Sequence, residues 1–154
     1  MITNEQQYQF TKERVAGFKR ALAMLNEPDN ELKQKNPFMW QFNIEGLHSF
    51  LEDYTAQMQE YEELVNRDSN RPIAFEINSI EQLPRVLIRA RIAAKVSQSE
   101  LASRLGISEK QLQRYEDWEY QEATITQLLE VSQALGIQIQ QKATVEVAAP
   151  PLSA

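Results

Sequence analysis

Apolar positions recur along this chain with three different periods, and each period predicts a different kind of element. Over residues 3–26, Tyr8, Val15, Phe18, Leu22 and Leu25 fall at helical steps, an amphipathic stripe of the coiled-coil kind. Thr3 or Asn4 is placed to cap this helix, and Thr11 to cap a second start. Gly17 weakens it by up to about 1 kcal/mol relative to Ala, while its missing side chain permits close helix contact. The polar run from Asn26 breaks the pattern, and the stretch to Asn36-Pro37 is expected to be a loop. A longer helix then runs from Asn43, or from Pro37, to about Asn66. Within it Ile44, Leu47, Leu51, Tyr54, Met58, Tyr61 and Val65 keep a strict 3-4-3-4-3-4 spacing. Such a seam needs a partner helix. The first helix is its natural intramolecular partner, giving an antiparallel hairpin. Two helices alone bury too small a fraction of their surface, so the same seven residues are expected to dimerise with a second chain. An intrachain core against the C-terminal part is the alternative. Phe38, Trp40 and Phe42 are expected to close the end of the bundle.

Asn66 to Pro72 is a polar linker and the expected boundary. It divides a hairpin unit, residues 1–70, from a second unit, residues 78–141. In the second unit Pro84 suits the first turn of a helix reaching about Val96, with Val86 or Leu87, Ala90 and Ala94 inward. Thr124 with Gln127 caps a last helix through Leu135, in which Leu128, Leu129 and Val131 are apolar and Gly136 ends the helix. From Ile137 the period drops to two: Ile137 and Ile139, then Val145 and Val147, predict a short C-terminal β-strand. Residues 142–154, with Pro150-Pro151, are expected to be the strand end and a flexible tail.

Between these helices the twenty residues Ser97–Glu116 carry dense punctuation. Ser97 with Glu100, and Ser108 with Gln111, each have capping-box spacing. Gly106 stands between them, where the first helix must stop and the chain must turn with φ > 0. Leu101, Ala102 and Leu105 give the first helix an apolar face, and Leu112 and Tyr115 do the same for the second. Small Ala102 allows a close, steep crossing. This is a helix-turn-helix by mechanism.

The Ser-Gln start, the Leu101-Ala102 pair, the Leu105-Gly106 turn and the Ser108-led helix ending at Tyr115-Glu116 resemble the XRE/Cro-type helix-turn-helix, over roughly Leu83 to Ile139. The resemblance implies a mainly α fold: the N-terminal hairpin plus a five-helix-type DNA-binding domain. Gln98 lies where this family commonly touches the DNA backbone. One departure is plain. Family members often follow the recognition helix with Glu-x-Gly and a Pro, whereas Glu116 to Glu122 holds four acids, no Gly and no Pro. A helical segment ahead of this motif also resembles HigA-like antitoxins.

Composition narrows the partners. The chain has 154 residues, 42% hydrophobic, no cysteine and a net charge of −6. Disulfides and thiolate metal sites are excluded, and no run is long and apolar enough to span a membrane. A cytoplasmic protein with no cofactor, no metal and no membrane partner is expected. The negative charge argues against indiscriminate nucleic-acid binding. It is uneven, however: residues 1–70 hold 7 basic and 12 acidic side chains, residues 78–141 hold 7 and 8. The lone His48 has no acid or nucleophile near it in motif terms, and Glu62-Glu63 sits on a helix flank, so no enzyme is expected.

In a helix-turn-helix the second helix enters the major groove. Ser108 starts it, and Glu109, Lys110, Gln113 and Arg114 point outward. Arg114 suits guanine, Lys110 guanine or phosphate, Gln113 adenine, and Glu109 a cytosine amino group or merely the helix dipole. Gln98, Ser97, Ser99, Arg104, Arg91 and Lys95 are candidates for phosphate. The expected function is a dimeric repressor that reads an operator in double-stranded DNA, including that of its own operon. The alternative is an antitoxin that neutralises a toxin protein and autoregulates its operon.

Overall fold

Three asparagines set the helix starts of the N-terminal half. Asn4 Oδ1 accepts from the Gln7 N–H at 2.9 Å, Asn30 from Lys33 at 3.1 Å and Asn36 from Met39 at 3.1 Å. Each satisfies an N–H that the first turn leaves orphaned. In the computed structural model, which describes residues 1–68 and 71–140, they open α1 (Glu5–Leu25), α2 (Glu31–Lys35) and α3 (Pro37–Asn66). The stretch expected to be a loop therefore contains a helical turn. Asn30 caps it, and Lys35 and Glu31 pair across it at 2.6 Å. Thr11 begins nothing; it lies buried inside α1.

α1 and α3 pack antiparallel as a hairpin. Trp40 Nε1 donates to the Leu25 carbonyl at 2.7 Å at one end. Phe18 stacks on Phe50 and Tyr54 in the middle, and Tyr8 on Tyr61 at the other end, with centroids 5.3 Å apart. Ile44, Leu47, Leu51, Tyr54 and Met58 are half-buried along α3, and Tyr61 is buried. Val65, the last member of the expected seam, is 36% exposed, while Leu64 beside it is buried. The shift has a simple cause. Beyond Tyr61 the first helix has ended, and α3 turns its inner face to α4 instead. Phe38 and Phe42 do not close the bundle; they stand in solvent.

The C-terminal half begins with a 3-10 turn, Ile80–Gln82, that feeds α4 (Leu83–Ala93) through Pro84. α4 stops three residues short of Val96, because Lys95 takes a left-handed φ of 58°. Leu83, Leu87, Ile88, Ile92 and Ala93 are buried; Ala94 is exposed. α5 (Gln98–Leu105), α6 (Glu109–Asp117) and α7 (Ile125–Ala134) follow. The domain thus holds four α-helices and one 3-10 turn among the described residues, not five helices.

The expected β-strand is not present over Ile137–Gln140. Gly136, at φ 68°, turns the chain back, and the Ile137 N–H donates to the Ser132 carbonyl at 2.9 Å, so it is committed to the helix end. Among the described residues no strand exists with which Ile139 could pair. Val145, Val147 and the tail at 142–154 lie outside the described residues. One apolar core joins the two halves: Ile2, Tyr61 and Leu64 pack in the same cluster as Leu87, Ile92, Leu101 and Leu112.

Candidate nucleic-acid interface

The turn between α5 and α6 is built as its residues dictate. Ser97 Oγ accepts from the Glu100 N–H at 3.0 Å, and Ser108 Oγ from the Gln111 N–H at 3.2 Å. Gly106 ends α5 with φ 68°, and the Ile107 N–H returns to the Ala102 carbonyl at 3.0 Å. The reciprocal half of each capping box is missing. Glu100 pairs with Arg104 instead, at 2.5 Å, and Gln111 reaches the Tyr115 hydroxyl at 3.1 Å. Only Thr124 and Gln127, at the start of α7, complete the box. Leu101, Ala102 and Leu112 are buried where the two helices cross, with Tyr115 half-buried beside them.

A buried polar network fixes α6 to its neighbours. Arg91 on α4 donates to both oxygens of Glu116 on α6, each at 2.6 Å. Arg91 also donates to the Val96 carbonyl at 3.0 Å and to the Thr3 carbonyl at 2.6 Å. Gln98 Nε2, at the head of α5, donates to Glu116 at 2.6 Å, and its Oε1 accepts from Asn4 at 3.0 Å. Three helices and the N-terminal segment meet at one carboxylate. This is a charge-assisted bidentate pair with its remaining hydrogen-bonding capacity used.

That network redraws the phosphate candidates. Arg91 is 4% exposed and bound to Glu116, so it is an interior residue and not a phosphate contact. The side chain of Gln98 is 5% exposed and committed to Glu116 and Asn4. At that end of α5 the exposed side chains are Ser97, Ser99 and Glu100, the last paired with Arg104. The sequence carried one clue to the network: Arg91 falls on the same helical face as Leu87 and Ile88, an inward position for a charge. Its partner 25 residues on has no local signature.

The remaining positions gather on the outer edge of α6. Ser108, Glu109, Lys110 and Arg114 are exposed and Gln113 half-buried, with Gln113 Nε2 3.4 Å from Glu109 Oε1. Arg114 donates to Glu122 at 2.9 Å. Lys110 enters no ion pair among the described residues. Arg104 is exposed but engaged by Glu100 and the Ala134 carbonyl.

Each acid of the segment Glu116–Glu122 has a partner. Glu116 meets Arg91, Asp117 accepts from Gln7 at 2.6 Å, Glu119 lies 3.5 Å from Arg85, and Glu122 meets Arg114. Tyr120 packs into the core, whereas Trp118 remains 63% exposed. Glu119 and Tyr120 both take positive φ, 47° and 55°, a left-handed conformation that costs a residue bearing a Cβ and that glycine adopts freely. Burial raises the Tyr120 phenol well above its ordinary value, with the Glu116 charge adding to the effect.

A helix-turn-helix with a polar recognition edge defines a class of DNA-binding domain. Residues 87–141 match the family model described as helix-turn-helix. This part of the chain is a helix-turn-helix of the XRE/Cro type, the DNA-binding domain of transcriptional regulators. The N-terminal hairpin lies outside the match. No curated protein and no solved structure matches the chain. No helix among the described residues is long and apolar enough to cross a membrane.

Proposed function

We propose that this chain is a sequence-specific transcriptional repressor that binds its operator as a dimer, with α6 in the major groove. The observation that carries this reading is the contrast between the two sides of α6. Its inner side is locked by Leu112 and the Arg91–Glu116 pair; its outer side offers Glu109, Lys110, Gln113 and Arg114 to solvent. A rigid helix with solvent-facing polar side chains is what base-edge recognition needs. Arg114 supplies the bidentate fork for guanine, Gln113 an amide for adenine, and Lys110 an unpaired ammonium for guanine or phosphate. Ser99 and the first N–H groups of α5 hold the DNA backbone.

Binding to a duplex from upstream of the chain's own coding sequence, measured by fluorescence anisotropy, tests this. Arg114→Ala should weaken specific binding roughly ten- to hundredfold, the worth of one bidentate base contact. Unchanged affinity would remove Arg114 from the interface.

A second reading, an antitoxin that also regulates its operon, draws on α3. That helix holds six acidic residues and no Lys or Arg, a surface suited to a basic protein. Stoichiometric co-purification with a small basic protein encoded beside it would support this reading, and its failure to co-purify would weigh against it.

A further inference from the structure

The hairpin spends its heptad seam inside one chain, and a second apolar surface is left outside. Phe10 and Met24 on α1, and Phe38, Met39, Phe42 and Phe50 on α3, are between 39% and 77% exposed. Ring contacts join two of these residues, Phe50 and Phe10, through their neighbours. Phe50 stacks on Phe18, Phe18 on Tyr54, and the Arg14 guanidinium lies over both Tyr54 and Phe10, at 5.8 and 5.0 Å. Phe38, Phe42, Gly46 and Phe50 continue the ribbon along α3 at successive four-residue steps. On α1, Phe10, Gly17 and Met24 repeat every seven residues.

We propose that this aromatic ribbon is the dimer face, and that its occupant is the same ribbon of a second copy, packed to form a four-helix bundle. Two observations select a second copy. The first is charge. Beside the ribbon, at three- and four-residue steps from its members, α1 carries Arg14 and Arg20 against Glu13, whereas α3 carries Glu45 and Asp53. No ion pair among the described residues joins α1 to α3 within one chain. A two-fold arrangement that lays each α1 beside the partner's α3 matches the opposite charges twice, as a self-complementary interface requires. The second is area. The four phenylalanines alone leave on the order of 500 Å² of ring surface open, at the upper end of what monomers tolerate. That is most of the roughly 800 Å² that each partner contributes to a standard interface. The ribbon deepens the dimeric reading given above and rests on it for its purpose: Ile2, Tyr61 and Leu64 tie the hairpin into the core behind α6, so pairing hairpins holds two recognition helices at a fixed separation.

Sedimentation equilibrium of the full chain without DNA tests the proposal independently of any operator. The native chain should run at twice its 17.8 kDa mass. The double variant Phe38→Ser, Phe42→Ser should run at the monomer mass while keeping its helical circular dichroism and cooperative melting. A second readout does not depend on removing apolar surface. The chain has no cysteine, and a Cβ added at Gly46 meets nothing within 4 Å, so Gly46→Cys places a single thiol on the ribbon. Its maleimide labelling should slow about tenfold from dilute to concentrated protein, as mass action fills the interface. A native chain at monomer mass overturns the proposal, as does a dimer that survives the double variant or a labelling rate indifferent to concentration. Dissociation by Ile125→Ser and Leu129→Ser with the ribbon intact also overturns it, moving the interface to the exposed apolar residues of α7.

Discussion

Glu116 is a carboxylate that meets no water, and its neighbours make that state tolerable. Removing it leaves the Arg91 guanidinium buried at the junction of α4, α5 and α6 without its counter-charge. Glu116→Ala should therefore cost about 3–5 kcal/mol of unfolding free energy in urea titration. The double variant Arg91→Met, Glu116→Leu should lose much less, since an apolar pair of similar volume carries no stranded charge. Tyr120 poses the opposite case. Its hydroxyl is buried with no hydrogen-bond partner, so Tyr120→Phe removes an unsatisfied group and should stabilise by about 1 kcal/mol. The same phenol makes stability depend on alkaline pH. Its folded pKa is raised above the ordinary 10.0, so above that pH the unfolded chain releases a proton that the folded chain retains. Stability is fully present below pH 10.0 and falls as pH rises beyond it. Urea titrations at pH 7 and above pH 10 check both points, and Tyr120→Phe should flatten the alkaline loss.

At the level of elements, the segment after α6 holds two left-handed residues in succession, and its acids are paired. Glu119→Gly should stabilise by about 1 kcal/mol, because Glu119 occupies a left-handed conformation and its ion pair with Arg85 is solvent-exposed. Thermal melting reads this directly. Glu122 pairs with Arg114, the residue proposed above for guanine readout. Glu122→Gln should tighten DNA binding several-fold by releasing Arg114 and removing an acid beside the phosphates; weaker or unaltered anisotropy titrations would show that the pair positions Arg114 instead. Much of this region was legible in the sequence. Ser97, Gly106, Ser108, Thr124 and Gly136 act locally, and each residue's short range of interaction announced its role. The Asn30 cap is as local as these, yet the polar run around it hides the helical turn it opens. The strand expected from Ile137 and Ile139 failed for a physical reason: alternation describes which side chains face inward, and a strand also needs a partner edge. The burial of Gln98 and Arg91 has no local signature, because their neighbours, Glu116, Thr3 and Asn4, come from 18 to 95 residues away.

Across the whole molecule, the hairpin and the DNA-binding domain are not beads on a string. Thr3 and Asn4 reach the Arg91–Glu116 network, Gln7 meets Asp117, and Arg89 meets Glu60 at 3.0 Å. The orientation of the hairpin is thereby coupled to that of α6. The hairpin itself was legible from its heptads, since α1 and α3 bury the expected stripe against each other. Which further face remains free was not legible, because a repeat shows that a seam exists and not how many helices share it. A chain of net charge −6 gains little from phosphate attraction alone. On the function proposed above, affinity comes from base contacts on α6, doubled by pairing. The most direct measurement of that account compares the native chain with Lys110→Ala, Arg114→Ala by anisotropy, on the upstream duplex and on a scrambled duplex of equal length. The native chain should prefer the upstream duplex strongly, and the variant should bind both equally and weakly. Equal binding of the two duplexes by the native chain, or an unaltered preference in the variant, would contradict it.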